Sequence, residues 1–245
     1  MPDAVYITMI TSANLRNAIG VTHILDAFEK HPKTVPTHWG TDERARQAYN
    51  REEVITSISN LTNDTNVPGL HRRKAPRYES YFTAKQHEIN NLKVEYRASI
   101  DEPILPVLFA LGTELATRLE PVFGFVHSIW DLGEQSQEYS SAGITNVRDF
   151  QEYGPQAPCT RTWFGPHLVN LIGREVLLSC DGPTTETAWG GIQLDLIDTP
   201  WEADFDTLQQ RQQQILQQLL PSGVFGDYSQ PFEYQPGPRW VPASS

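Results

Sequence analysis

The segment "NNLKVEYRAS", residues 90–99, alternates without a break: Leu92, Val94, Tyr96 and Ala98 point one way, while Lys93, Glu95 and Arg97 point the other. Successive side chains of a strand leave opposite faces of a sheet, so the pattern describes a strand with one buried and one wet face. The preceding "YESYF" supplies a partner strand, with the turn placed over residues 85–91.

Working outward from this hairpin, "AVYITMI" near the start is rich in β-branched residues and reads as a strand, and "NLRNAIGVTHILDAFEKH" has helical spacing, with Asn14 offering an N-cap. Residues 32–69 mix Pro, Thr, Asn and Gly and predict an irregular excursion with one helix at 51–59. Beyond the hairpin, "DEPILPVLFALGTELATRLEP" predicts a helix, with Asp101 or Glu102 near its N-terminus and Pro121 stopping it. "VFGFVHSIW" returns as a strand, and a polar loop covers residues 139–158. "CTRTWFG" then reads as a strand, "PHLVNLIG" as a short helix closed by Gly173, and "REVLLSC" as a short strand. "GGIQLDLI" as a strand and "ADFDTLQQRQQQILQQLL" as a helix complete the order. The predicted fold class is α+β, a mainly antiparallel sheet with helices packed on one face. Residues 1–69 form an N-terminal strand-helix segment and excursion packed on the main α+β domain, residues 70–245.

Composition narrows the function. The chain has 245 residues, 39% hydrophobic and 20% charged, enough for a sizeable core. No apolar run is long enough to span a bilayer, and "MPDAVYITMITSANLR" lacks the charged and apolar regions of a signal peptide, so a cytoplasmic protein is expected. Cys159 and Cys180 are too few for a disulfide framework and show no zinc spacing, which predicts buried thiols. A net charge of −11 repels phosphate backbones, so direct nucleic-acid binding is not expected. The one basic segment, "HRRKAPR" at residues 71–77, is read as an extended, solvated or partner-facing loop. The opposite asymmetry is larger: between Arg174 and Arg211 there is no Lys or Arg, while eight acids fall inside, five of them between residues 195 and 206.

These five, Asp195, Asp198, Glu202, Asp204 and Asp206, could bind a metal, act as acid and base, or do neither. Local structure accounts for most of them. Asp195 falls on the half-exposed side of a strand, Asp198 and Thr199 sit where a turn is needed, and Asp204 with Asp206 provides an N-cap and first-turn acid. A nuclease-type metal site wants a lysine beyond the carboxylates, and none follows Asp195 before Arg211. Elsewhere no nucleophile elbow and no phosphate-binding glycine loop is present. The residues therefore predict no catalytic group, metal or cofactor. One enzymatic reading remains, a small-molecule site around His127, Trp163 and His167 with Asp195. Six tryptophans, including Trp189 and Trp201, read as core anchors or interface residues.

The order of "RTWFGPHLVNLIG", "WGGIQLDLI" with a Pro-aromatic step, the acidic turn "TPWEADFD" and a final helix ending "LLPSGVF" resembles the immunity proteins of bacterial polymorphic-toxin and type VI secretion systems, the immunity protein 52 family in particular. The resemblance spans roughly residues 92–225. It implies a non-enzymatic protein that binds and neutralises a cognate cytoplasm-acting toxin, commonly a nuclease. The contact surface expected on that reading comprises Asp195, Asp198, Glu202, Asp204 and Asp206 with Trp189 and Trp201. A scaffold or adaptor in a secretion or phage-related assembly is the further alternative.

Overall fold

The computed structural model describes residues 1–85, 88–97, 102–144, 146–230 and 233–243. The expected turn at 85–91 falls partly outside these residues, as do Ala98 and Asp101. The strands are β1 (Ala4–Thr11), β2 (His38–Gly40), β3 (Gln47–Ala48), β4 (Gly69–Arg72), β5 (Tyr78–Phe82), β6 (Asn90–Arg97), β7 (Phe123–Ile129), β8 (Arg161–Phe164), β9 (Thr184–Glu186) and β10 (Ile192–Asp195). The helices are α1 (Ala18–Glu29), α2 (Arg51–Ser59), α3 (Leu105–Leu119), α4 (Glu134–Ser141), α5 (Val147–Tyr153), α6 (Pro166–Ile172), α7 (Arg174–Leu178) and α8 (Phe205–Leu219).

Among the described residues ten strands form one sheet in the order β3-β2-β4-β5-β6-β1-β7-β8-β10-β9, and every neighbouring pair is antiparallel. The α+β class expected from the sequence holds. The alternation of β6 sets its register on β1, where Leu92, Val94 and Tyr96 face Met9, Ile7 and Val5. These rows are buried under α1 and α3 through Val21, Leu25, Phe28, Leu108 and Phe109. Each such side chain contributes about 1.5–3 kcal/mol by leaving water, which makes this layer the principal source of stability for the first half of the sheet.

The other half is covered from the opposite side. Phe123, Phe125, Phe164, Ile192 and Leu194 form a second core with Phe150 of α5, Leu168 of α6 and Leu208, Ile215 and Leu219 of α8. The helices of the two halves thus cover opposite faces of the sheet, with α3 reaching from the first half over the inner strands of the second. The middle strands are covered on both sides, which is why β7 is buried over almost its whole length. Helix α3 crosses the seam at Gly112, where an added Cβ would run into Val126 and lie 3.2 Å from the Trp163 ring.

Several local expectations are corrected. Residues 174–180, read as a strand, contain helix α7, whose Leu177 packs into the second core. The polar loop of residues 139–158 contains α5, capped by Asn146, and the end of α4. The excursion of residues 32–69 carries α2 where expected and also β2 and β3. Helix α1 is capped by Asn17, which accepts from the Gly20 amide at 2.7 Å, whereas the Asn14 side chain accepts from Arg16 at 2.9 Å in the preceding turn. Residues 1–69 enter the same sheet as the rest, with β1 between β6 and β7. His71 and Arg72, expected in a loop, are the last residues of β4. Both cysteines are free and buried. Among the described residues no helix is long and apolar enough to cross a membrane.

Candidate functional site

Strand β10 presents Ile192 and Leu194 to the second core, so Gln193 and Asp195 face the other side, beneath α3. Asp195 was expected half-exposed and is instead only 6% exposed, because α3 and the turn after β10 close over it. Its partner is Arg161, directly opposite on β8. Arg161 Nε donates to Asp195 Oδ1 at 2.6 Å and Nη2 to Oδ2 at 2.8 Å, while Nη1 donates to Thr113 Oγ1 at 3.1 Å. Gln193 donates to Asp195 Oδ2 at 3.1 Å and accepts from the Trp163 indole at 3.1 Å. Burial pushes the Asp195 carboxyl up, against the pull of Arg161 and Gln193.

Two aromatic rings close this ion pair off. The guanidinium carbon lies 5.3 Å from the Phe109 ring centroid and 5.9 Å from that of Trp201, and the two rings meet edge-on at 5.5 Å. Trp201 is consequently held in place by a charge it covers. It is half-buried, and the acids around it in sequence are not: Asp198, Glu202, Asp204 and Asp206 are all exposed. Glu202 closes a turn by donating its amide to the Thr199 carbonyl at 2.9 Å. Asp204 caps α8, accepting from the Thr207 amide at 2.9 Å, and hydrogen bonding from the Thr207 side chain and amide holds its carboxyl below the usual range. Asp206 follows in the first turn.

Of the residues singled out in the sequence, the structure gathers four exposed carboxylates and Trp201 on one short segment. Asp195 lies beneath the surface as an anchor. Trp189 stands beyond the other end of β10, beside a separate recess of about 400 Å³ lined by Glu120, Pro166 and His167. Arg161 escaped sequence reasoning. The available signal was an arginine at an otherwise apolar strand position, facing an aspartate that also needed a partner.

The histidines of the enzymatic reading do not join this site. In the β7 to β8 pairing Val126 is opposite Arg161, so His127, one residue on, points to the other face of the sheet from Asp195. There it is fully buried, 2.9 Å from the Tyr139 carbonyl through Nε2, and its Nδ1 accepts from the Thr160 amide at 3.2 Å. A carbonyl can only accept, so Nε2 carries the proton and the ring is neutral. Burial pushes its pKa down to about 4. His167 Nε2 bonds the Val241 carbonyl at 2.7 Å, beside the Trp240 ring. Among the described residues no group of three or more His, Cys, Asp or Glu side chains is placed to hold a metal ion.

No protein-family model matches the chain, and no curated protein matches it. Among solved structures it is similar to one described as Pseudomonas aeruginosa T6SS protein PA0821, with a TM-score of 0.52 and 13% identity. The match covers 99% of this chain and 80% of that one. At that identity the likeness speaks for the fold alone.

Proposed function

We propose that this protein is an immunity-type inhibitor from a type VI secretion context, which binds a cognate toxin acting in the cytoplasm and neutralises it, with a nuclease as the toxin class. The observation that carries the reading is the exposed segment of Asp198, Glu202, Asp204 and Asp206 around a half-buried Trp201 that is fixed from below by Arg161 and Asp195. A nuclease active site attracts phosphate, so an inhibitor with carboxylates on a prearranged surface gains association rate and electrostatic complementarity. Trp201 supplies the aromatic anchor that such interfaces concentrate their energy on, and the rigid support beneath it reduces the entropy lost on binding. The likeness along nearly the whole chain to a protein described as belonging to a T6SS supports the context.

The test is capture of partners by the tagged full-length protein at low and at high salt, followed by expression of each retained partner alone and together with this protein. A retained partner that is lost at high salt, arrests growth by itself, degrades nucleic acid and is silenced by co-expression is the expected result. If no retained partner is toxic, the immunity reading is wrong.

A further inference from the structure

Across the face of β4, β5 and β6 that points away from α1 and α3 runs a groove of about 930 Å³. The register places His71, Glu79 and Glu95 in one row on this face, one residue out of step with Leu70, Ser80 and Val94 on the core side. Four arginines, Arg44, Arg73, Arg77 and Arg97, line the groove, while Arg72 borders it but, opposite Tyr78, sends its side chain to the core side. This concentration is notable in a chain of net charge −11.

Only part of this charge is neutralised within the groove, whose lining also holds Glu43, Glu79 and Glu95. Arg97 is paired with Glu95, and the Glu79 carboxylate accepts from the Tyr81 hydroxyl. Arg44, Arg72, Arg73 and Arg77 make no ion pair among the described residues. Neutral carbonyls hold two of them instead. Arg73 Nη2 donates to the Arg44 and Ala45 carbonyls at 3.3 and 3.1 Å, and Arg72 Nη1 donates to the Val35 carbonyl at 2.7 Å. Such bonds orient a guanidinium and leave its full charge in place. His71, on the groove side, is only 6% exposed, and its Nε2 has no hydrogen-bond partner. Arg44, Arg73 and Arg77 are exposed and carry charge that an arriving anion can pair with.

The chemistry of the lining selects the class of ligand. Small-molecule pockets are concave and mostly apolar, whereas this groove is charged along its length. A nucleic acid presents an unbroken run of phosphates, which Glu43, Glu79 and Glu95 among the arginines would repel. A protein surface carries spaced carboxylates, and guanidinium forks bind carboxylates in bidentate fashion. We infer that this groove docks an acidic segment of a protein partner, whose carboxylates pair with Arg44, Arg73 and Arg77. The surface is opposite in charge to the one assigned to the toxin, and the inference does not rest on that assignment.

The test uses the full-length protein and three fluorescent probes, octaglutamate, octalysine and a short oligothymidylate, followed by anisotropy in low-salt buffer. Arg44 and Arg77 are both exposed, so Arg44→Glu with Arg77→Glu removes the groove's charge at its rim. Circular dichroism checks folding, and Arg77→Gln serves if the double variant is unfolded. Octaglutamate is expected to bind the native protein in preference to octalysine, and to bind the double variant about tenfold more weakly. The control Asp204→Asn with Asp206→Asn lies outside the groove and should not weaken octaglutamate. Failure of octaglutamate to bind, or equal binding by the folded groove variant, overturns the inference. Tighter binding of oligothymidylate that is lost in the same variant replaces it with a nucleic-acid site.

Discussion

Arg161 and Asp195 face each other on adjacent strands, β8 and β10, and form a two-bonded ion pair at 2.6 and 2.8 Å beneath Trp201. A pair this deep is sensitive to losing one member and tolerant of losing both. Asp195→Ala should destabilise the protein by about 3–5 kcal/mol, because the Arg161 charge is left buried and uncompensated. Arg161→Met with Asp195→Leu should recover most of that loss. Urea unfolding of the three proteins at neutral pH decides; an Asp195→Ala variant as stable as the native protein would show that the pair is solvated.

His127 makes stability depend on pH. Its folded pKa, about 4, is below the ordinary 6.5, so between these values the unfolded chain binds the proton and the folded one does not. Stability therefore falls as pH drops through this window. Between pH 7 and 5, above most carboxylate titrations, the loss should be about 2 kcal/mol. In His127→Gln this component should vanish, which denaturation midpoints at the two pH values will reveal.

Gly112 reverses a helix rule. Alanine normally stabilises a helix interior relative to glycine by about 1 kcal/mol. Here a Cβ would meet Val126 and the Trp163 ring at the point where α3 crosses the sheet. Gly112→Ala should instead cost about 1–3 kcal/mol through overpacking. Adding Val126→Ala should relieve part of the clash, giving a double variant that melts above the sum of the two single effects.

Asp204 has two separable roles, as the cap of α8 and as a surface charge. Asp204→Ala removes both, whereas Asp204→Asn keeps a good N-cap and removes only the charge. Thermal melting should therefore place the Asn variant near the native protein and the Ala variant below it. Once the toxin is in hand, the two should lose association rate alike, and the difference from native should shrink as salt is raised. A partner affinity that follows stability rather than charge would remove Asp204 from the contact surface.

Local order reveals a good deal of this protein. The alternation of β6, the apolar stripe and N-cap of α8, and the run of α3 ended by a left-handed Glu120 before Pro121 all depend on neighbours in the chain. Their periods of two and 3.6 are set by backbone geometry, so they can be read before any contact is known. The exposed acids at 198–206 belong to the same class, because turns and helix N-termini favour them wherever they occur.

Other features came into being only when distant segments met. "EVLLSC" suits a strand or a helix, and packing of Leu177 into the second core accompanies its helical form. Which face of the sheet each helix covers depends on pairings up to the full length of the sheet, and so does the separation of His127 from Asp195 on opposite faces. Asp195 looked half-exposed because its strand alternates, yet α3, 76 or more positions earlier in the chain, and Trp201 take that exposure away. Residues 71–77 read as a basic loop, but strand pairing placed His71 beside Glu79 and Glu95 and gathered Arg44 and Arg97 around them. A charge's partner and its solvent exposure are properties of tertiary proximity, whereas sequence spacing governs only the periods of the elements that carry it.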